Sequence, residues 1–476
     1  MSFDRRTLLR GAGAAGLTGL AGLALPGTAG ADPEDLVFGI RAKYRPFDLI
    51  APRFVQYDTV ARPVRDAVVS TDVRPRAPYG SVLVEVRSGT GVVAGLVGDD
   101  GTRVLGTYGD GRATIEITRG GTTTVVKSVA ANLVAPFQFA VVFNENAVTV
   151  LADTTGTGTA WQPLLTERDG VRALIDLRVP DTLGRLSYGY GGRGDVLLGR
   201  VRAGYFGQAG VRDPHVVQYA DGRPVIRDNK LYLTLTNAGL GFFQQAHWGV
   251  WTLDLTDPTR LEQVAQLFFA RDGVVLGDHA GQIVLDGDEF VLAMSSWGDF
   301  NFAGVHVRYV RTRQNVLSGV HVLPTTPLPL PTDVSSWDPA LTRINGRWHV
   351  AFVESPAQSP SFVFHPALAR GATLESLSRV GADLTVDQTE GTIIQRIDGA
   401  WYVLASDGDA RLYRVYDLRM RPHGTLDAPY GTNIPHPMVV RVRNTWWLLT
   451  FDGTQYAEPV LGYGGHGDFI VMTASR

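Results

Sequence analysis

Short runs of alternating apolar and polar residues, separated by turn residues, fill the chain from about residue 36 onward. In residues 81–87 the apolar Val82, Val84 and Val86 alternate with Ser81, Glu85 and Arg87. Residues 113–118 alternate likewise and pass through Gly120-Gly121 into residues 122–127. Residues 138–143 and 147–151 flank Asn144-Glu145-Asn146 as a hairpin, and residues 197–203 read as a further strand. A period of two is the signature of half-buried strands, and no sustained helical period competes with it. The prediction is an all-β protein.

In the second half one hairpin recurs. Asp338 opens a strand that reaches an Asn345-Gly346 turn and returns on a strand led by Trp348. Asn-Gly is the strongest two-residue hairpin signal. Glu390 opens the same pattern before Asp398-Gly399 and Trp401, His436 before Arg443-Asn444 and Trp446, and His279 before Asp286-Gly287 and Phe290. Asp213 opens an enlarged copy that returns through Leu231-Tyr232-Leu233. Five copies of one hairpin predict a five-bladed β-propeller. The innermost strands of a propeller begin near its axis, so the five openers should converge in one funnel, all in one phase of the repeat. Three carboxylates and two imidazoles would meet there.

The first 31 residues do not fit this pattern. Arg5-Arg6 precede an uncharged run rich in Gly, Ala and Leu, and Ala29-Gly30-Ala31 is an A-x-A cleavage signature before Asp32-Pro33. This reads as a cleaved twin-arginine export signal, which implies a secreted or cell-envelope protein. The apolar part is too short and glycine-rich to span a membrane, which takes about 20 predominantly apolar residues. With no cysteine in the chain, disulfides and a lipid-modified cysteine are both excluded. A net charge of −3 gives no broad attraction to nucleic acid.

The expected organisation is a leader over residues 1–31, a β-sandwich over 32–206 and the propeller over 207–476. The sandwich is similar to the concanavalin-type jelly rolls that accompany many glycosidases. Its expected part is to pack against the propeller and shape the rim of the site, with glycan binding as the alternative. No membrane contact is expected after cleavage, and oligomeric state is not legible.

The propeller segment, from about Gly210 onward, resembles the clan of five-bladed glycoside hydrolases, and within it family 43 with its arabinofuranosidase and arabinanase relatives. The motifs are Arg212-Asp213-Pro214 in the first repeat, Trp337-Asp338-Pro339 in the third and Glu390-Gly391 in the fourth. The resemblance implies that Asp213 is the general base, that Asp338 orients and tunes the acid, and that Glu390 is the general acid. It also implies that His436 sits by a central cation or water. Thr392 departs from the Pro that usually follows Glu-Gly, and the first hairpin is enlarged.

The residues support that chemistry independently of the family. Glycosidic cleavage needs a protonated acid at the leaving oxygen and a carboxylate opposite, and crowded carboxylates keep one proton at neutral pH. Asp338 is the expected source of that shift on Glu390. The Asn-Asp-Pro-Asn motif of the retaining fructan-active relatives is absent at Arg212-Asp213-Pro214-His215, so inversion is preferred. The resemblance implies a furanosidic polysaccharide or oligosaccharide of arabinan type as substrate.

Trp297 and Trp337, with Phe242-Phe243 or Trp248, are candidate sugar platforms. Trp348, Trp401 and Trp446 lead second strands and are assigned to the core. His279, His247 and Asp299 are candidates for hydroxyl contacts. No cofactor is required; a calcium or other cation on the axis near His436 and His279 stands beside the alternative of two satisfied polar histidines. Two further readings remain open: a retaining fructan-type hydrolase and a non-catalytic sugar-binding propeller.

Overall fold

The computed structural model describes residues 32–46, 50–51, 53–61, 64–300, 304–453 and 467–475. The expected export signal lies outside them. The chain is all-β, with a propeller-like arrangement of sheets preceded by an eleven-stranded sheet assembly. Among the described residues, no helix is long and apolar enough to cross a membrane.

The N-terminal assembly turns on one long strand, Leu186–Gly204. Its first half pairs with Val92–Gly98 and Val64–Ser70, and its second half with Tyr79–Ser88 and Val55–Val60. The two layers of the expected sandwich therefore share a strand. Between them lie the apolar faces that the alternation predicts, with Val82, Val84 and Val86 packed against Ile115, Phe139 and Tyr188.

The remaining sheets follow in chain order, each opened by an inner strand. These inner strands are Gly210–Val216, His279–Asp286, Ser335–Ile344, Thr389–Ile397 and Met438–Val442. Apolar side chains fill the spaces between successive sheets. Trp248 and Leu267 meet Ile283 and Leu292; Val284 and Val291 meet Trp348 and Phe352; Ala340 and Leu368 meet Ile394 and Val403. Ile393, Val439 and Leu448 then meet Leu233 and Trp251 of the first sheet, which closes the ring.

Four of these sheets complete their antiparallel run within the C-terminal half, where the hairpin count predicts five. Among the described residues the last sheet has three strands from that half, and its outer strand is Val37–Tyr44, antiparallel to Asp468–Ser475. A strand from the segment expected for the sandwich thus belongs to the propeller-like part. The hairpin repeat could not reveal this, because an outer strand carries neither the opener nor the turn.

The turns follow the sequence. Asn345 and Gly346 have φ of 50° and 75°, and Asp398 and Gly399 have 43° and 102°. These left-handed pairs match the twist of the flanking strands.

Candidate active site

The openers are placed by a bulge repeated at the start of four inner strands. Pairing slips by one residue between Arg212 and His215, His279 and Gly281, Trp337 and Ala340, and Glu390 and Ile393. The extra residue is left-handed each time: φ is 53° at Asp213, 53° at Ala280, 49° at Asp338 and 70° at Gly391. Such bulges bend a strand and re-aim its side chains. Asp tolerates this conformation better than most residues, and Gly carries no penalty.

The shared phase expected of the openers does not hold. Arg212, His279, Trp337 and Glu390 occupy one phase, while Asp213, Ala280, Asp338 and Gly391 occupy the next. The bulge nevertheless brings both phases to the same end of the inner strands.

His436 joins the carboxylates. Its Nε2 lies 3.5 Å from Asp213 Oδ1 and 3.3 Å from Asp338 Oδ2. The Gly391 N–H donates to Asp338 Oδ2 at 3.0 Å, and the Thr392 hydroxyl donates to the Asp338 carbonyl. Proline could not make the latter bond, so the departure from the family motif ties two neighbouring inner strands together. Trp337 Nε1 donates to Glu390 Oε2 at 3.2 Å. A Cβ on Gly391 would come within 2.4 Å of the His436 ring, so only glycine admits His436 here.

The carboxyls differ in affinity for protons. Burial would raise Asp213, but His436, Arg212 and His279 together hold it below the usual carboxylate range. Arg212, whose Nε lies 4.0 Å from Asp213 Oδ1, is the cation that persists at neutral pH, because burial lowers both His436 and His279. Burial, then Glu390 and Asp213, push Asp338 well above the usual range. Burial, then Asp213, bring Glu390 up to about 7. Asp338 was expected to be the negative neighbour that keeps Glu390 protonated. In the structure that neighbour is Asp213, while burial pushes Asp338 itself toward the protonated form.

Trp337 and Trp297 both lie beside this cluster, with ring centroids 5.4 Å apart. Both are buried, Trp337 1 % and Trp297 6 % exposed, so neither offers the open sugar platform that the sequence suggested. Trp297 stacks on Phe243 at 4.9 Å, and Phe242, 41 % exposed, carries this aromatic cluster outward. His279 is fully buried, with Nε2 3.2 Å from the Phe243 carbonyl.

The other candidates lie elsewhere. His247 is buried between Tyr79 and Phe268, its Nε2 2.6 Å from Gln266 Oε1, and is held neutral by burial at about 3. It belongs to the junction with the N-terminal assembly, and Trp248 to the core between the first two sheets. Asp299 accepts from Arg271 at 2.6 Å, and Arg271 also grips Asp278, which accepts from the Gly298 N–H at 3.0 Å. Asp299 thus anchors the turn that carries Trp297. Trp348 and Trp446 are core as expected, whereas Trp401 is only partly buried. The cation expected near His436 finds no ligand set: among the described residues no group of three or more His, Asp or Glu is arranged to hold a metal ion.

Arg212 and His215 were given no role by the sequence reading, and Thr392 was noted only as a departure from the usual Pro. His215 is fully buried and neutral, with its pKa lowered to about 3 by burial. The signal for Arg212 was its place directly before Asp213, where the bulge phase puts it level with Glu390.

Neither a family model nor a curated protein matches this chain. Solved structures do. A GH43_1 enzyme from Xanthomonas citri, complexed with xylose, is 15 % identical, with 55 % of this chain and 86 % of that one covered at a TM-score of 0.38. An alpha-L-arabinanase from Penicillium chrysogenum, complexed with arabinobiose, is 12 % identical over 71 % of this chain and 90 % of that one, with a TM-score of 0.35. Bacillus subtilis levansucrase is 10 % identical over 56 % and 86 %, with a TM-score of 0.42.

Proposed function

We propose that the protein is an exported glycoside hydrolase acting on furanosidic, arabinan-type glycans. The observation that carries this reading is the split in proton affinity around one mouth. Asp213 is held toward its ionised form and Glu390 is pushed up to about 7, with a buried aromatic cluster beside them. In this reading Glu390 protonates the leaving oxygen and Asp213 activates water. Asp338, held by the Gly391 N–H and by His436, braces the two.

General acid and base groups contribute about 10²–10⁴-fold each. Glu390→Gln and Asp213→Asn should therefore abolish nearly all release of sugar from a panel of plant and cell-wall arabinans while sugar binding persists. A sugar-binding propeller would bind equally well and release nothing even as wild type. Inversion, favoured by the missing Asn-Asp-Pro-Asn motif, is tested by the anomer first released, read by proton NMR. Export by the twin-arginine route predicts a mature N-terminus at Asp32 and retention inside the cell when Arg5 and Arg6 are both changed to Lys.

A further inference from the structure

Tyr79 ties the N-terminal assembly to the turn behind the aromatic cluster. Tyr79, in strand Tyr79–Ser88, is buried with its ring stacked on Phe268, centroids 5.2 Å apart. Its hydroxyl lies 2.8 Å from the Gln244 carbonyl and 3.1 Å from Glu145 Oε1. One hydroxyl has one proton and faces two oxygens. The arrangement is satisfied when the Glu145 carboxyl is protonated and donates to Tyr79, and Tyr79 donates to Gln244. Burial, the largest influence on Glu145, raises its pKa well above the usual range and keeps that proton in place.

Gln244 follows Phe243 in a short turn of the first propeller sheet. The same turn is tied to the N-terminal assembly a second time, by the Leu240 N–H donating to Asn144 Oδ1 at 3.1 Å. From Phe243 the contacts run inward. Phe243 stacks on Trp297 at 4.9 Å, Trp297 meets Trp337 at 5.4 Å, and Trp337 donates to Glu390.

We propose that Tyr79 and Glu145 are positioning residues for this mouth: by holding Gln244 they fix Phe243 against Trp297, and so set the buried aromatic packing beside the acid. The proposal rests on the glycosidase reading for its kinetic consequence but not for its structural one.

The test is Tyr79→Phe in the full chain, which keeps the ring and its stacking and removes only the hydroxyl. Glu145→Gln, whose amide can still donate to Tyr79, is the conservative partner. Phe243→Leu breaks the same path one contact further in. Labelling with 5-fluorotryptophan, with signals assigned through single Trp→Phe variants, reports on Trp297 and Trp337. Tyr79→Phe and Phe243→Leu should shift both resonances, and Glu145→Gln should leave them in place.

For Tyr79→Phe, kcat/KM on polymeric arabinan should fall about tenfold or more, as expected for a displaced catalytic neighbour. An aryl glycoside with a good leaving group, which needs less help from the acid, should stay within about twofold on the same argument. Unshifted tryptophan resonances in folded Tyr79→Phe would overturn the proposal. So would an equal loss on both substrates, which marks general destabilisation, or shifted resonances with unchanged polymer turnover. If the wild type hydrolyses nothing, the glycosidase reading fails and the resonances alone decide this one.

Discussion

At the residue scale the site depends on unequal treatment of three similar groups. Asp213 raises Glu390 through space, so Asp213→Asn should lower the Glu390 pKa from about 7 toward the ordinary value, read by carboxyl NMR titration. An unmoved titration would mean that burial alone sets Glu390. The same shift has a stability consequence. A carboxyl whose folded pKa is raised favours the folded state below its unfolded pKa, near 4.5, and that contribution is lost as pH rises through about 7. Glu390→Gln keeps the shape and can still accept from Trp337. It should stabilise the protein at pH 8 by on the order of 1–2 kcal/mol, after discounting for partial exposure, and by little at pH 4. Thermal denaturation at the two pH values checks the sign. Asp213, Asp338 and Glu390 were legible because each stands at a strand opening beside Pro or Gly. His247 and Asp299 were misread because composition near a strand end does not reveal which way a side chain points.

At the scale of elements, the hairpin turns were readable because left-handed pairs need Asn, Asp or Gly. The bulges were not, since a bulge adds one residue without changing the alternation enough to notice. Gly391 tests the bulge. An alanine there has a left-handed backbone to adopt, at a cost of roughly 1–2 kcal/mol, and a Cβ that collides with His436. Gly391→Ala should displace His436 from Asp213 and Asp338 and lower turnover about 10²-fold, the scale expected for a misplaced catalytic group. Turnover close to wild type in a folded variant would remove His436 from the site's support.

At the scale of the whole molecule, closure depends on the strand Val37–Tyr44. With Leu36 and Phe38 it seals the apolar space shared by the first, fourth and last sheets. Burying each such side chain contributes about 1.5–3 kcal/mol. Removing residues 32–44 should therefore lower stability by several kcal/mol and expose Asp468–Ser475 as an edge open to aggregation. Calorimetry and light scattering on the shortened protein check this; an unchanged melting temperature would mean that the strand is ornamental. The alternation of side chains, the turn residues and the order Asp, Asp, Glu were determined by the sequence alone, because they depend on neighbours along the chain. The composite last sheet, the two phases at the mouth, the raised proton affinity of Asp338 and the Tyr79–Gln244 contact were decided only in three dimensions. Each depends on which distant groups burial brings together, and burial depends on the whole chain at once.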